Sequence, residues 1–167
     1  MAETKKEQPQ LSADWNELRK AKASARSGWA YFNGLVKQMH QELGEKKTAD
    51  ILGKFMTENA RKFVKPTMAK FGITGNDAWS LASYFKLATG DIIGYKAELI
   101  QETPHRVVYR LYPPCIWFPD LDIPPSFCEA IGCFEREAVN LVNPHIKVSV
   151  RSLLTRGDPY CETVFEE

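Results

Sequence analysis

The stretch Gly90-Asp91-Ile92-Ile93-Gly94-Tyr95-Lys96-Ala97-Glu98-Leu99 divides the chain between two periodicities. Before Gly90, apolar residues recur at steps of three and four, as on a helix face. After it, Tyr95, Ala97 and Leu99 alternate with Lys96 and Glu98, the period of a half-buried strand. Thr103-Pro104 turns the chain, and Val107, Tyr109 and Leu111 alternate with Val108 and Arg110 in a second strand. Helices first and strands afterwards predict an α+β fold, with N-terminal helices packed on a small antiparallel sheet.

Upstream, Leu18, Ala21, Ala25, Trp29, Phe32, Val36, Met39 and Leu43 form one apolar stripe over about seven helical turns. Asp14 and Glu17 suit a capping pair at its start, and Gly44 suits its stop. An apolar stripe exists chiefly to be buried, so core packing is its expected use. Thr48 caps a second helix with Ile51, Leu52, Phe55, Met56, Phe63 and Val64 at the same period, and Pro66 should kink or end it. Asn76 or Asp77 opens a third, with Ala78, Leu81, Ala82, Phe85 and Leu87 buried and Gly90 at its end.

Downstream, a proline-rich loop from Pro113 to Pro125 carries Cys115, Trp117 and Phe118. Trp117 and Phe118 suit either lining a pocket or locking the loop to the core. Ser126 opens one helix that crosses the sheet and runs to about Asn143. Ile146, Val148 and Val150 make a third strand, Arg156-Gly157-Asp158-Pro159 a tight turn, and Cys161, Thr163 and Phe165 a fourth strand. Residues 1–11 read as a disordered lead-in and 12–167 as a single domain, helical over 12–90 and sheet-forming over 91–167.

The chain has 167 residues, 44% of them apolar and 26% charged, an ordinary globular composition. Its net charge of +1 supplies no bulk attraction to nucleic acid or to an anionic membrane. The first ten residues lack a secretory apolar core, and no run of about 18 apolar residues occurs. A cytoplasmic location is expected, where four cysteines serve as free thiols, metal ligands or nucleophiles rather than disulfides.

All four cysteines (Cys115, Cys128, Cys133, Cys161) lie in the C-terminal third. In the helix opened by Ser126 the stripe is Phe127, Ile131, Phe134, Ala138 and Leu141, which sets Cys128 on or beside the buried face. Cys133 falls roughly 140° further round and shares a flank with Glu129 and Glu137. Alternation sets Cys161 with Thr163 and Phe165, opposite Glu162 and Glu166. Cys128 and Cys161 should therefore meet between helix and sheet, with Cys115 delivered by the loop.

Three uses of these thiols compete. They can pack as small buried hydrophobes. Cys115, Cys128 and Cys161 can hold Zn2+ with a fourth ligand from Cys133, His145, Asp158 or water. One can act as a thiolate nucleophile beside a cation such as Arg156. His40 reads as a solvated flank, His105 as hairpin surface and His145 as a minor base or ligand. Asp158 has a plain use too, since aspartate before proline bonds its own backbone.

The succession Pro114-Cys115, Phe127-Cys128, Asn143-Pro144, Leu154-Thr155-Arg156-Gly157-Asp158 and Cys161 resembles the L-2-amino-thiazoline-4-carboxylic acid hydrolase-like family. The Gly-Asp-Pro-Tyr-Cys ending is similar to the related 4-vinyl reductase-type small-molecule-binding domain. The resemblance implies a ligand pocket between helices and sheet, hydrolytic opening of a thiazoline ring, and Cys115, Cys128, Asp158 and Cys161 as functional residues, with Cys133 outside the pattern. The expectation is a hydrolase acting on a C–N or C–S bond of a cyclic amidine-like substrate. Cys161 or Cys128 would be its nucleophile, Asp158 its proton carrier and Arg156 an anion anchor, or a thiolate-bound zinc would supply hydroxide. The rival expectation is a non-catalytic ligand-binding or sensor domain whose cysteines hold a structural metal or shape a pocket. A partner scaffold built on the first helix is a third, although its outer face (Lys20, Lys22, Arg26, Lys37, Gln41) reads as merely solvated. The expected partner is a small-molecule ligand or substrate, with no nucleic acid and no membrane, and homodimer formation is left open.

Overall fold

The computed structural model describes residues 7, 8, 10, 15–115 and 117–167, without the side chain of Trp15. Asp14 of the expected capping pair, and most of the expected lead-in, lie outside these residues. Within the lead-in, the Gln8 side chain donates to the Leu99 carbonyl at 2.8 Å and accepts from the Leu99 amide at 3.1 Å.

The chain folds as expected into an α+β domain. Helix α1 spans Trp15–Leu43 and helix α2 Glu45–Lys70. They are joined at Gly44, whose φ of 76° is left-handed and suits glycine. Helix α3, Ala78–Phe85, begins where the Asp77 carboxylate accepts from the Ser80 amide at 2.7 Å. The same rod continues as a π-helix over Lys86–Ile93 and stops at Gly94, φ 102°. It thus runs beyond the expected end at Gly90.

Strands β1 (Ala97–Thr103), β2 (Arg106–Leu111), β3 (Lys147–Ser152) and β4 (Cys161–Glu166) form one antiparallel sheet in the order β1-β2-β4-β3. Register sets Leu99 opposite Tyr109, and Val107 opposite Phe165. These four residues are buried beneath the helices, joining Leu81, Phe85, Ala60, Val64 and Ala138 in one core. A second core gathers Val36, Leu52, Met56, Tyr95, Cys115, Phe118, Phe127 and Ile131 around α1, α2 and the proline-rich loop.

Three expectations need correction. Thr48 does not cap α2, which begins at Glu45 after Gly44 and holds Thr48 buried within it. Of the two outcomes expected at Pro66, an end to the helix does not occur, since Pro66 sits inside α2. Val64 and Met68, on either side of it, are both buried, so packing holds the helix through the lost backbone bond. The single crossing helix is in fact two, α4 (Pro125–Ile131) and α5 (Cys133–Val142), broken at Gly132. A side chain there would meet the Glu129 carbonyl at 3.2 Å, so glycine fits the bend.

On the outer face of the sheet, Glu98, Arg110 and Glu162 stand in one cross-strand row. Glu162 is only 2% exposed despite facing away from the helices. The Arg110 guanidinium caps it at 2.7 Å and Arg151 approaches at 3.5 Å. The charge row thereby covers the sheet where helices do not.

Candidate functional site: an apolar cavity between the helices and the sheet

The stripe on α1 was expected to be packed core, yet Val36 is its one buried member among the described residues. Ala25, Trp29 and Phe32 are half-buried because they line a hollow. Its volume is about 500 Å³, within the range of roughly 300–1,000 Å³ typical of ligand sites. Helix α2 contributes Phe55, Met56, Asn59 and Phe63, and the π-helix contributes Ala88, Thr89 and Ile93. Tyr109 and Leu111 of β2 form the floor, and Ile131, Phe134 and Glu135 close the far side.

The proline-rich loop completes the wall. Trp117 lines the cavity, while Phe118 is fully buried and locks the loop to the core, so the two aromatics divide the two expected uses. The loop is strapped to α1 by Asn33, which donates to the Trp117 carbonyl at 2.7 Å, and by Lys37, which lies 2.9 Å from Asp122. Phe55 and Phe63 remain 49% and 46% exposed, so aromatic surface reaches the opening. They lie eight residues apart, about 12 Å along α2.

Polar groups in this hollow are sparse. Thr89 donates to the Phe85 carbonyl at 2.6 Å, which leaves its oxygen to accept from the Tyr109 hydroxyl. Glu135 is different. Its Oε2 is buried and has no hydrogen-bond partner among the described residues. Burial, outweighing its own backbone amide and Arg136, pushes its carboxyl up to about 7. Burial likewise raises the Tyr84 and Tyr109 hydroxyls, keeping both neutral.

The cysteines are elsewhere. Cys115, Cys128 and Cys161 do come together, in the second core, but no described cysteine lines the cavity. The Cys115 sulfur lies 3.1 Å from the Tyr95 hydroxyl and accepts from the Phe118 amide at 3.4 Å. Cys128 accepts from the Thr155 hydroxyl at 3.3 Å and Cys161 from the Leu154 amide at 3.3 Å. Burial pushes these two thiols up to about 12 and about 11, so both stay protonated at neutral pH. Cys133 faces Gly53 of α2 and accepts from Arg136 at 3.0 Å, on the flank as expected. All four thiols are free.

Among the described residues, no group of three His, Cys, Asp or Glu side chains is placed to hold a metal ion. The expected zinc set of Cys115, Cys128, Cys161 and Cys133 is therefore not assembled, and these residues do not fit the ion. Asp158 accepts from the Leu153 amide at 2.7 Å, the plain turn bond. Arg156 pairs on the surface with Glu129 at 2.5 Å. Neither lines the cavity. His145 and His105 are exposed, whereas His40 packs edge-on against Phe127 with ring centroids 5.1 Å apart, not on a solvated flank.

Glu135 escaped the sequence reading although a signal existed. It lies four residues after Ile131 and three before Ala138, an acid set on the apolar stripe of its helix. Ala88 and Thr89 carried no such signal, because their exposure to the hollow depends on the π-helical winding.

Fold and site together define an α+β domain with an apolar ligand-sized cavity. No family model and no curated protein matches the chain. Among solved structures, it is similar to trafficking protein particle complex subunit 3 from Naegleria fowleri, crystallised covalently bound to palmitic acid. The TM-score is 0.65 at 14% identity, covering 87% of this chain and 95% of that one, which establishes a shared fold. No helix among the described residues is long and apolar enough to cross a membrane.

Proposed function

We propose that this protein is a non-catalytic binding domain that holds the apolar chain of a small amphiphile between α1, α2, the π-helix and β2. The observation that carries this reading is the cavity of about 500 Å³, whose lining is almost wholly aliphatic and aromatic. Burying apolar ligand surface there contributes roughly 25 cal/mol per Å² before the costs of association. The structural neighbour, which shares the fold and is covalently bound to palmitic acid, lends support. Because no described cysteine lines the cavity, binding here is noncovalent.

Ring-opening hydrolysis gains no such support. Its expected nucleophiles, Cys161 and Cys128, are half-buried, protonated and already used as hydrogen-bond acceptors.

Native mass spectrometry after incubation with twelve- to sixteen-carbon amphiphiles tests the binding reading. A one-to-one complex is expected with the wild type and not with Ala88→Trp, whose indole would occupy the hollow. No complex with any chain length, or equal binding by the filled variant, would overturn it.

A further inference from the structure

One residue that lines the cavity carries a buried carboxylate oxygen with no hydrogen-bond partner among the described residues. A buried oxygen without a partner is costly, and native structures rarely keep one without a use. Glu135 Oε2 is such an atom, on a residue that lines the hollow. Its neighbours do not relieve it. Tyr84 from α3, Tyr109 from β2, Cys128 from α4 and Cys161 from β4 are the titratable groups that feel its charge, and all four are held neutral by burial. Arg136, on the same helix, is the charged neighbour, but its guanidinium donates to the Glu129 carbonyl and the Cys133 sulfur. No acidic or basic side chain from α1, α2 or the proline-rich loop lines the cavity among the described residues.

We propose that the bound amphiphile carries a hydrogen-bond-donating head, an amine most favourably or a hydroxyl, and that the Glu135 carboxylate is the acceptor for it. This inference rests on the apolar-cavity reading and names the head group that the cavity selects. An ammonium supplies both the donor and the countercharge that the site lacks. A hydroxyl supplies the donor alone. A carboxylate head would place a second negative charge against Glu135, so one of the two acids must keep its proton.

The pH dependence differs in sign between head groups. Glu135 ionises near pH 7, whereas an alkylammonium stays charged to about pH 10, as lysine does. Amine binding therefore strengthens from pH 5.5 to 8, and carboxylate binding weakens over the same interval.

Dodecylamine, 1-dodecanol and laurate, each below its micellar or solubility limit, are titrated into the full chain by isothermal calorimetry at pH 5.5 and 8. Dodecylamine is expected to bind about tenfold or more tightly than laurate at pH 8. Glu135→Gln should bring that ratio to within about twofold while chain binding persists. The wild-type pH trend provides the same test without a variant. Laurate binding as tightly as dodecylamine at pH 8, or a preference unchanged by Glu135→Gln, overturns the head-group assignment alone. Failure of all three chains to bind overturns the cavity reading with it.

Discussion

The Thr155 hydroxyl donates to the Cys128 sulfur across 3.3 Å, tying the turn before β4 to helix α4. This contact, with burial, makes the thiol a packing and hydrogen-bonding element. Cys161 is held similarly by the Leu154 amide. Their pKa values lie above the ordinary thiol range, so the thiolate fraction at pH 7.5 is smaller than for a free cysteine. Iodoacetamide on the native protein should therefore label Cys128 and Cys161 only after denaturant is added. Peptide mapping checks this, and rapid native alkylation of either would show an accessible thiolate that the packing does not allow.

Glu135 should make stability depend on pH. Its folded pKa of about 7 exceeds the ordinary 4.5, so the folded state holds the proton more firmly. Stability from this group is intact below about pH 4.5, declines as pH rises towards 7, and then levels off. Glu102, Asp122 and Glu137 are shifted downward by their cationic partners and act oppositely in acid, but they cancel between variants. The Glu135→Gln variant should thus gain on the wild type by up to about 3 kcal/mol between pH 4.5 and 8, at about 1.4 kcal/mol per unit. Urea denaturation at several pH values reads the difference, and a pH-independent gap would mean the carboxyl titrates normally.

The Glu98–Arg110–Glu162 row gives a prediction about the sheet. Glu162 is 2% exposed, and Arg110 meets it at 2.7 Å. Removing Arg110 leaves the buried Glu162 charge with only the longer Arg151 contact of 3.5 Å, at a cost on the order of 3 kcal/mol. Arg110→Ala should lose about that much, and Arg110→Met combined with Glu162→Leu should recover most of it. Equilibrium unfolding of the single and double variants provides the test. A single variant within about 0.5 kcal/mol of wild type would mean that Arg151 or water compensates Glu162 without Arg110.

The overall architecture was legible in the sequence because it rests on periodicity. The change of period after Gly90 marks where helices give way to strands, and Asp77 sits as a cap should. What escaped depends on tertiary context. A stripe such as Ala25, Trp29 and Phe32 looks identical whether it faces packed side chains or an apolar hollow, since both favour apolar residues. Pro66 breaks an isolated helix, yet burial of Val64 and Met68 holds α2 together. The thiols are the most reactive side chains of the C-terminal third, and their segregation reflects a shared core. Cys115, Cys128 and Cys161 do gather there. The hollow itself is lined by Ile131, Phe134 and Glu135, an acid on an apolar stripe, and by no described cysteine.

A cavity kept open for a ligand lowers the stability of the empty protein. Filling unneeded hollows commonly adds about 0.5–2 kcal/mol, since the lining atoms regain contacts they lack. Ala88 is the small residue through which this can be tried, because it faces the cavity from the π-helix and lies among Phe85, Thr89 and Ile93 in the lining. Ala88→Leu should raise the melting temperature of the ligand-free protein while weakening amphiphile binding. Thermal unfolding with and without dodecylamine separates the two effects. The wild type should gain more from the ligand than the variant does, by the mass-action term that couples binding to folding. A variant that melts lower and still gains fully from ligand would mean that residue 88 packs against a neighbour instead of facing open space.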